Sequence, residues 1–293
     1  MNGYLNVLKP PGMSSAAVVG RVKRLTGEKR VGHAGTLDPE AAGVLPVMVG
    51  RATRLFDYLV DKQKIYVAEV AFGQATDTQD ATGTVTSAGE AWPGRAAVEA
   101  AAERLTGDIL QRPSAYSAIK RDGEPLYRRA RRGEEVEAPE RLVHVERILV
   151  GRETPRHGFM LRVECGRGTY IRSICHDLGE LVGCPAHTRF LLRCRSGAFG
   201  LDTAVTLEEA EALAQAGGLA DRLLPPDWPL GHLPRYDVPA GLTKQAANGV
   251  ALPLTADLPA GPVRVYAQGR FCGIAAREGT CLAWHMVIPP GAD

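Results

Sequence analysis

The sequence has 293 residues, of which 45% are hydrophobic and 23% are charged, and its formal net charge at pH 7 is +2. These values are close to globular averages and exclude a disordered or coiled-coil chain. There is no run of about 18 uncharged apolar residues, which excludes a membrane-spanning helix, and the first residues lack the pattern of a secretory signal. We therefore expect a soluble, cytoplasmic protein with one large domain and one small one.

Positive charge is concentrated in three segments, residues 1–54, 120–132 and 185–195. The first has eight Lys or Arg and three acids, the second six and two, and the third three and none. Such segregation suits a face that binds a polyanion, but charge alone fits a set of solvated helix faces equally well. The six cysteines form no C-x-x-C pair. We therefore expect small buried side chains and no structural metal.

Hydrophobic periodicity and turn residues predict the elements of the large domain. In chain order these are a strand at 4–8, a helix capped by Ser14 or Ser15, a turn-rich segment at 32–39, a strand at 44–49, a helix at 53–59, a central strand at 64–73, a helix at 95–105, a surface insertion at 112–141 with a helix at 125–132, strands at 141–150 and 159–165, a helix at 169–182 and a helix at 207–214. Thr206 and Glu209 form the capping box of the last helix.

A proline-rich linker at 225–229 precedes a short C-terminal region. Three strands are predicted there, at 263–267, 270–276 and 281–288. A region of this size needs docking support from the rest of the chain. The predicted domains are therefore residues 1–228 and 229–293.

Motifs for nucleotide cofactors and zinc proteases are absent. Residues 76–80 resemble a calcium loop only loosely, and a turn is the better interpretation because the acids do not alternate as an EF-hand requires. Asp38 lies between Gly35 and Pro39 in the turn-rich segment. Such a loop can present a carboxylate to a ligand, or it can be a simple Asp-Pro turn, and local sequence leaves both open.

Residues 32–46, Gly-His-Ala-Gly-Thr-Leu-Asp-Pro-Glu-Ala-Ala-Gly-Val-Leu-Pro, closely resemble the catalytic motif of the TruB family of tRNA pseudouridine synthases. Five further segments resemble motifs of that family and occur in the family's order: 9–15 (N-terminal motif), 64–66 (tyrosine motif), 113–120 (RNA-gripping insertion), 168–173 (arginine motif) and 186–193 (leucine segment). The resemblance spans residues 3–210. Ala34 departs from it, because the family commonly has a hydroxyl residue there.

The resemblance implies an α+β catalytic domain with a central mixed, mostly antiparallel sheet flanked by helices, followed by a small C-terminal β-barrel of the PUA-like type. It implies an enzyme that isomerises the uridine at position 55 in the T-loop of tRNA. The base would be flipped out, detached from the ribose with the help of an aspartate, and rejoined through a C–C bond. No cofactor, metal, membrane or protein partner is implied, and we expect a monomer that binds tRNA.

The resemblance also assigns roles to single residues. Asp38 would be the catalytic carboxylate, Arg172 would pair with it, and Tyr66 would stack on the uracil. The implied substrate-binding residues are Leu191, Tyr170, Lys9 and His33, of which Tyr170 and Lys9 support the pocket and its loop. The implied RNA-binding residues are Lys120, Arg128, Arg129, Arg131 and Arg132.

Two other functions are considered beside this one. An RNA-binding or tRNA-folding factor would use the same basic surface, but it would not need Asp38, Tyr66 and Arg172 together. A metal-dependent hydrolase using His33 and Asp38 lacks a further ligand and is the weakest alternative.

Overall fold

The computed structural model describes residues 1–59, 63–121, 123–254 and 258–288. Its strands are β1 (Gly3–Lys9), β2 (Val31–His33), β3 (Ala42–Val49), β4 (Lys64–Phe72), β5 (Gln74–Thr76), β6 (Val85–Ala88), β7 (Gly107–Gln111), β8 (Lys120–Arg121), β9 (Glu124–Pro125), β10 (Arg141–Thr154), β11 (Gly158–Cys165), β12 (Ala186–Ser196), β13 (Phe199–Gly200), β14 (Arg235–Asp237), β15 (Leu252–Pro253), β16 (Pro262–Ala267), β17 (Arg270–Glu278) and β18 (Cys281–Val287). Its α-helices are α1 (Ser15–Thr26), α2 (Arg95–Arg104), α3 (Leu126–Arg131), α4 (Ile171–Val182), α5 (Leu207–Gln215) and α6 (Thr243–Ala247). The 3-10 helices are Gly50–Tyr58, Leu201–Thr203, Leu219–Arg222, Trp228–Leu230 and Ala240–Leu242.

The main sheet has the order β1-β3-β12-β4-β11-β10-β7, with β2 beside β3 and β13 beside β12. The pair β12–β3 is parallel, and the other neighbours in this sheet are antiparallel. Strand β4 lies in the middle of the order, which its nearly continuous apolar sequence predicts. The predicted α+β fold with a mixed, mostly antiparallel sheet is therefore confirmed.

Helix α1 begins after Ser14, whose Oγ accepts a hydrogen bond of 3.2 Å from the N–H of Ala17. It ends at Gly27, which adopts the left-handed conformation that a C-terminal cap favours. Val18 and Val22 are fully buried. Because Ser14 is the cap, Ser15 is the first helical residue and is buried against the loop that follows β2.

One hydrophobic core joins the sheet to α1, α2, α4 and α5. Helix α4 contributes Ile171, Ile174, Cys175 and Leu178, which recur at helical spacing and are all buried, as their pattern predicts. Packing α4 in this way brings its N-terminal turn close to the loop after β2. That turn carries Arg172.

The structure adds three details to the sequence-based expectations. The helix expected at 53–59 is a 3-10 helix that spans Gly50–Tyr58. Strand β12 was not predicted, because two bulges interrupt the alternation of its side chains. Cys281 was expected to be buried but is exposed, because it begins β18 directly after a turn.

The C-terminal region forms a five-stranded sheet of order β14-β16-β17-β18-β15 with its own small core. A second apolar cluster docks this sheet onto the 3-10 helix Gly50–Tyr58, and its buried members are Leu55, Leu230, Leu233, Ile274, Met286 and Ile288. The hydroxyl of Tyr58 also lies 3.2 Å from Nδ1 of His285. Domain division after residue 228 stays a prediction, and residues 255–257 and 289–293 of the predicted second domain lie outside the described residues. Within the described ranges, no helix is long and apolar enough to cross a membrane.

Candidate active site

Asp38 lies in the irregular segment between β2 and β3, beside an open cavity of about 550 Å³. Most residues that the resemblance marks as catalytic or substrate-binding line this same cavity: His33, Asp38, Tyr66, Tyr170, Arg172 and Leu191. They come from the loop after β2, from β4, from the start of α4 and from β12. The fold thus brings together side chains that are far apart in the chain.

Arg172 and Asp38 form an ion pair, with Nε of Arg172 2.9 Å from Oδ2 of Asp38. The Nε–H is not directed at that oxygen, so the contact is not also a hydrogen bond. The Arg172 side chain is 6% exposed and that of Asp38 is 39% exposed. The cation is therefore fixed within the protein, whereas the carboxylate remains accessible to a ligand.

The remaining nitrogens of Arg172 are bound by the protein. Nη1 donates to the carbonyl of Thr78 at 2.7 Å and lies 3.3 Å from Oδ2 of Asp80. Nη2 donates to the carbonyl of Tyr116 at 3.1 Å. Residues 76–80 therefore form a turn that holds this guanidinium. Among the residues that the structure describes, no three potential metal-binding side chains form a cluster there or elsewhere.

Side chains bind the main chain on both sides of Asp38. Oγ of Ser15 accepts a hydrogen bond of 2.8 Å from the N–H of Leu37 and donates one of 2.9 Å to its carbonyl. Nζ of Lys9 donates to the carbonyl of Pro39 at 2.8 Å. Lys9 is fully buried, and this burial lowers its pKa to about 8. Lys9 therefore supports the loop from beneath and does not line the cavity.

Arg193 on β12 binds the same loop upstream of Asp38. Its guanidinium donates to the carbonyls of Gly35 at 3.0 Å, Thr36 at 3.1 Å and Val44 at 2.8 Å. Arg193 is fully buried, and within the described part of the chain no carboxylate pairs with it. Three main-chain carbonyls therefore accept hydrogen bonds from this cation and hold it in place.

The expectation that residues 185–195 add exposed positive charge was therefore largely wrong. Arg193 is buried against main-chain carbonyls, and Nη1 of Arg189 lies 2.8 Å from Oε1 of Glu69. Arg195 is the exposed arginine of this segment. A count of charges along the sequence cannot distinguish a cation that faces solvent from one that serves the fold.

Tyr66 lies opposite Arg193 in the register between β4 and β12, so the two side chains share one side of the sheet. Burial raises the pKa of Tyr66, and the nearby Arg193 only partly opposes this effect. The phenol is therefore neutral at pH 7. Leu191, two residues before Arg193, lines the cavity beside it.

His33 and Tyr170 border the cavity as uncharged groups. Burial, followed by the charge of Arg193, lowers the pKa of His33, so its imidazole is neutral at pH 7. Burial raises the pKa of Tyr170. The side-chain amide of Gln111 accepts from the N–H of Tyr170 at 2.8 Å and donates to its carbonyl at 3.0 Å, which fixes the start of α4.

Two cations of the insertion lie beside the site. Lys120 lines the main cavity. Arg131 lines an adjoining cavity of about 730 Å³ that also reaches Asp38, and its guanidinium lies 5.7 Å from the ring centre of Tyr127. Arg128 is exposed and lines neither cavity.

The other two cations of the insertion are bound by carboxylates of the insertion itself. Arg132 forms a bidentate pair with Glu124, at 2.6 and 2.9 Å, and also contacts Glu134. Nε of Arg129 donates to Glu134 at 2.8 Å. These arginines are at the surface, but acids of the protein occupy the N–H groups that a phosphate would use.

Ser15, Asp80, Gln111 and Arg193 are the site residues that sequence reasoning missed. Each acts on the main chain or on another side chain across a long sequence separation, so no local pattern marks it. Asp80 is the exception, because the turn at residues 76–80 carries two acids, Asp77 and Asp80, and an acid is a candidate partner for an arginine of the site.

Comparisons with known proteins agree with this arrangement. Residues 23–171 match the family model of the N-terminal domain of TruB family pseudouridylate synthases, and residues 172–230 match the C-terminal domain of tRNA pseudouridylate synthase B. The tRNA pseudouridine synthase B of Bacillus subtilis (strain 168) is 39% identical over 298 residues, which cover 99% of this chain and 94% of that protein. The protein of the same name from Symbiobacterium thermophilum is 47% identical over 254 residues, which cover 86% and 83%.

Solved structures with the same fold include a Cbf5–Nop10–Gar1 complex, 25% identical with a TM-score of 0.71 over 98% of this chain and 85% of that chain. A second is an H/ACA RNP bound to a substrate RNA containing 2′-deoxyuridine, 23% identical with a TM-score of 0.73 over the same shares. The C-terminal five-stranded sheet fits the expected PUA-like domain. The family models and the full-length relatives show that the chain belongs to the TruB family of pseudouridylate synthases.

Proposed function

We propose that this protein isomerises the uridine at position 55 in the T-loop of tRNA to pseudouridine, with Asp38 as its catalytic carboxylate. As a TruB-family enzyme it converts uridine to pseudouridine in tRNA. The observation that carries the assignment of Asp38 is its accessible carboxylate beside a buried Arg172, in a cavity that also holds Tyr66 and Leu191.

The reaction breaks the bond between ribose C1′ and N1 of uracil and forms one between C1′ and C5. The base loses its proton at C5 and gains one at N1, so no oxidant, reductant or co-substrate is needed. An ionised carboxylate can attack C1′ or C6 or can assist departure of the base, and each route requires Asp38 to be held in one orientation. Arg172 supplies that orientation at 2.9 Å.

The neighbouring side chains would hold the base while it turns. Tyr66 would stack on the uracil, and its neutral hydroxyl would serve in proton transfer at C5. Leu191 would close the pocket on the other side. His33, neutral and lining the cavity, would help to hold the displaced nucleotide.

Binding of tRNA would use shape and phosphate contacts rather than base sequence. Lys120 and Arg131 are placed at the cavity, and the insertion that carries them would close over the T-loop. The catalytic carboxylate, its arginine and the stacking tyrosine all come from one chain. The protein would therefore act as a monomer, in the cytoplasm where tRNA is found, without a protein partner.

The test is to incubate the protein with an unmodified tRNA transcript and map pseudouridine by carbodiimide-dependent reverse-transcription stops. We expect one new stop in the T-loop with the native protein and none with Asp38→Asn. Affinity for tRNA should stay within about tenfold, because many phosphate contacts share the binding. The exposed Asp108→Asn is the matched control and should retain activity.

Turnover by Asp38→Asn would contradict the assignment of the carboxylate. Tight binding by the native protein without any stop would instead favour an RNA-folding factor.

A further inference from the structure

A further cavity, of about 150 Å³, adjoins the main cavity beside Asp38. The two share four lining residues: Gly35, Phe56, Lys64 and Arg167. Phe56, which is 42% exposed, offers an aromatic surface at the shared rim. The boundary between the two cavities is thus formed by an aromatic ring, a glycine and two cations.

Lys64 is the central charge of this boundary. It is half-buried, and within the described residues no carboxylate pairs with it. Burial, then the charge of Arg193, lowers its pKa to about 8, and Arg167 acts in the same direction. Asp57, the acid lining the smaller cavity, lies exposed at its rim, and Asp38 is already paired with Arg172.

A buried ammonium without a counterion costs folding free energy, because it loses hydration and gains no partner. An anion bound at Lys64 would offset that cost. Gly35 leaves space for it: a Cβ at this position would lie 4.0 Å from Nζ of Lys64 and 3.8 Å from Nη1 of Arg193. Arg193 is itself buried and bound to carbonyls, so it contributes positive potential rather than a direct contact.

We propose that Lys64 and Arg167 bind a phosphodiester group that flanks the target uridine, at the junction of the two cavities. The proposal rests on the function proposed above, because it takes the main cavity, which Asp38 and Tyr66 line, as the site of the flipped nucleoside. A nucleotide in that cavity carries a phosphate on each side, and its strand must leave through an opening. The junction of the two cavities is such an opening, and Lys64 and Arg167 supply positive charge there.

The test measures binding of a T-stem-loop RNA as a function of salt, in the Asp38→Asn background so that the RNA is not converted. Lys64→Met should weaken binding about tenfold and reduce the slope of log K against log salt by about 0.7 to 0.9, the value for one phosphate contact. Lys64→Arg keeps the charge and should keep the slope. Because Lys64→Met removes an unpaired buried charge, its melting temperature should equal or exceed that of the parent protein.

A neutral methylphosphonate at each flanking position in turn identifies the phosphate. At one position it should weaken binding to the parent protein and have a clearly smaller effect on Lys64→Met, where only Arg167 still contacts that phosphate. This difference is the non-additivity of two groups in contact. Additive effects at both positions, an unchanged salt slope, or equal losses with Lys64→Arg and Lys64→Met would overturn the proposal. Failure of the proposed function is recognised separately, as absence of pseudouridine with the native Asp38 protein.

Discussion

Substitution of Ser15 would show how strongly the activity depends on a fixed conformation of the loop that carries Asp38. Its hydroxyl binds both the N–H and the carbonyl of Leu37, the residue before Asp38, and all three groups are buried. In Ser15→Ala both main-chain groups lose this partner, at about 1–3 kcal/mol for each buried polar group left unsatisfied. We expect the variant to fold with a loss of about 2–6 kcal/mol. A carboxylate displaced by about 1 Å lowers kcat on the order of a hundredfold.

The measurements are kcat and KM for tRNA conversion, together with hydrogen exchange of the Leu37 amide. We expect faster exchange and a lower kcat, with KM little changed because RNA contacts are untouched. Ser14→Ala is the matched control, since Ser14 only caps α1 and its loss costs about 1 kcal/mol. Normal kcat in a folded Ser15→Ala variant, or an equal loss in Ser14→Ala, would refute the reasoning.

Two further predictions follow from charged groups away from the carboxylate. Burial, then Glu180, raises the pKa of Asp177 to about 7. The native protein therefore loses stability as pH rises from about 4 through 7, and Asp177→Asn should be more stable by about 4 kcal/mol at pH 8. Urea unfolding should show the difference shrinking near pH 4, and a pH-independent difference would count against the assignment. Glu134 pairs with Nε of Arg129, so Glu134→Gln should free this guanidinium and tighten tRNA binding about threefold at low salt. Glu135 is exposed and forms no ion pair with the described residues. An equal gain with Glu135→Gln would reveal only a general charge effect.

The sequence predicts the framework of the site better than its details. Helix α4 follows from its apolar spacing, and the central position of β4 follows from its apolar sequence, because both patterns reflect burial in one core. Asp38 and Arg172 could be paired only through the family resemblance. Local sequence leaves open whether Asp38 presents a carboxylate to a ligand or belongs to a simple Asp-Pro turn. It does not distinguish Arg172 from an ordinary surface cation of a helix.

Long-range bonds to main-chain atoms explain what the sequence could not predict. Arg193 belongs to the basic segment 185–195, which predicts a residue of a polyanion-binding face. In the structure it is instead buried against the carbonyls of Gly35 and Thr36. Any residue has a carbonyl, so the partner of such a cation leaves no trace in residue type. A carboxylate partner such as Asp80 is at least visible in the sequence as an acid that can pair with an arginine.

The same bonds connect the geometry of the loop to the electrostatics of the cavity. Lys9 and Arg193 hold the main chain on either side of Asp38 through carbonyls, and a carbonyl dipole orients a cation without cancelling its charge. Their positive charge therefore persists beside the cavity, where Lys64 adds to it. A protein with a net charge of only +2 can in this way concentrate positive potential where the RNA strand must bend and react. The rigidity that catalysis requires and the attraction that RNA binding requires then come from the same buried cations.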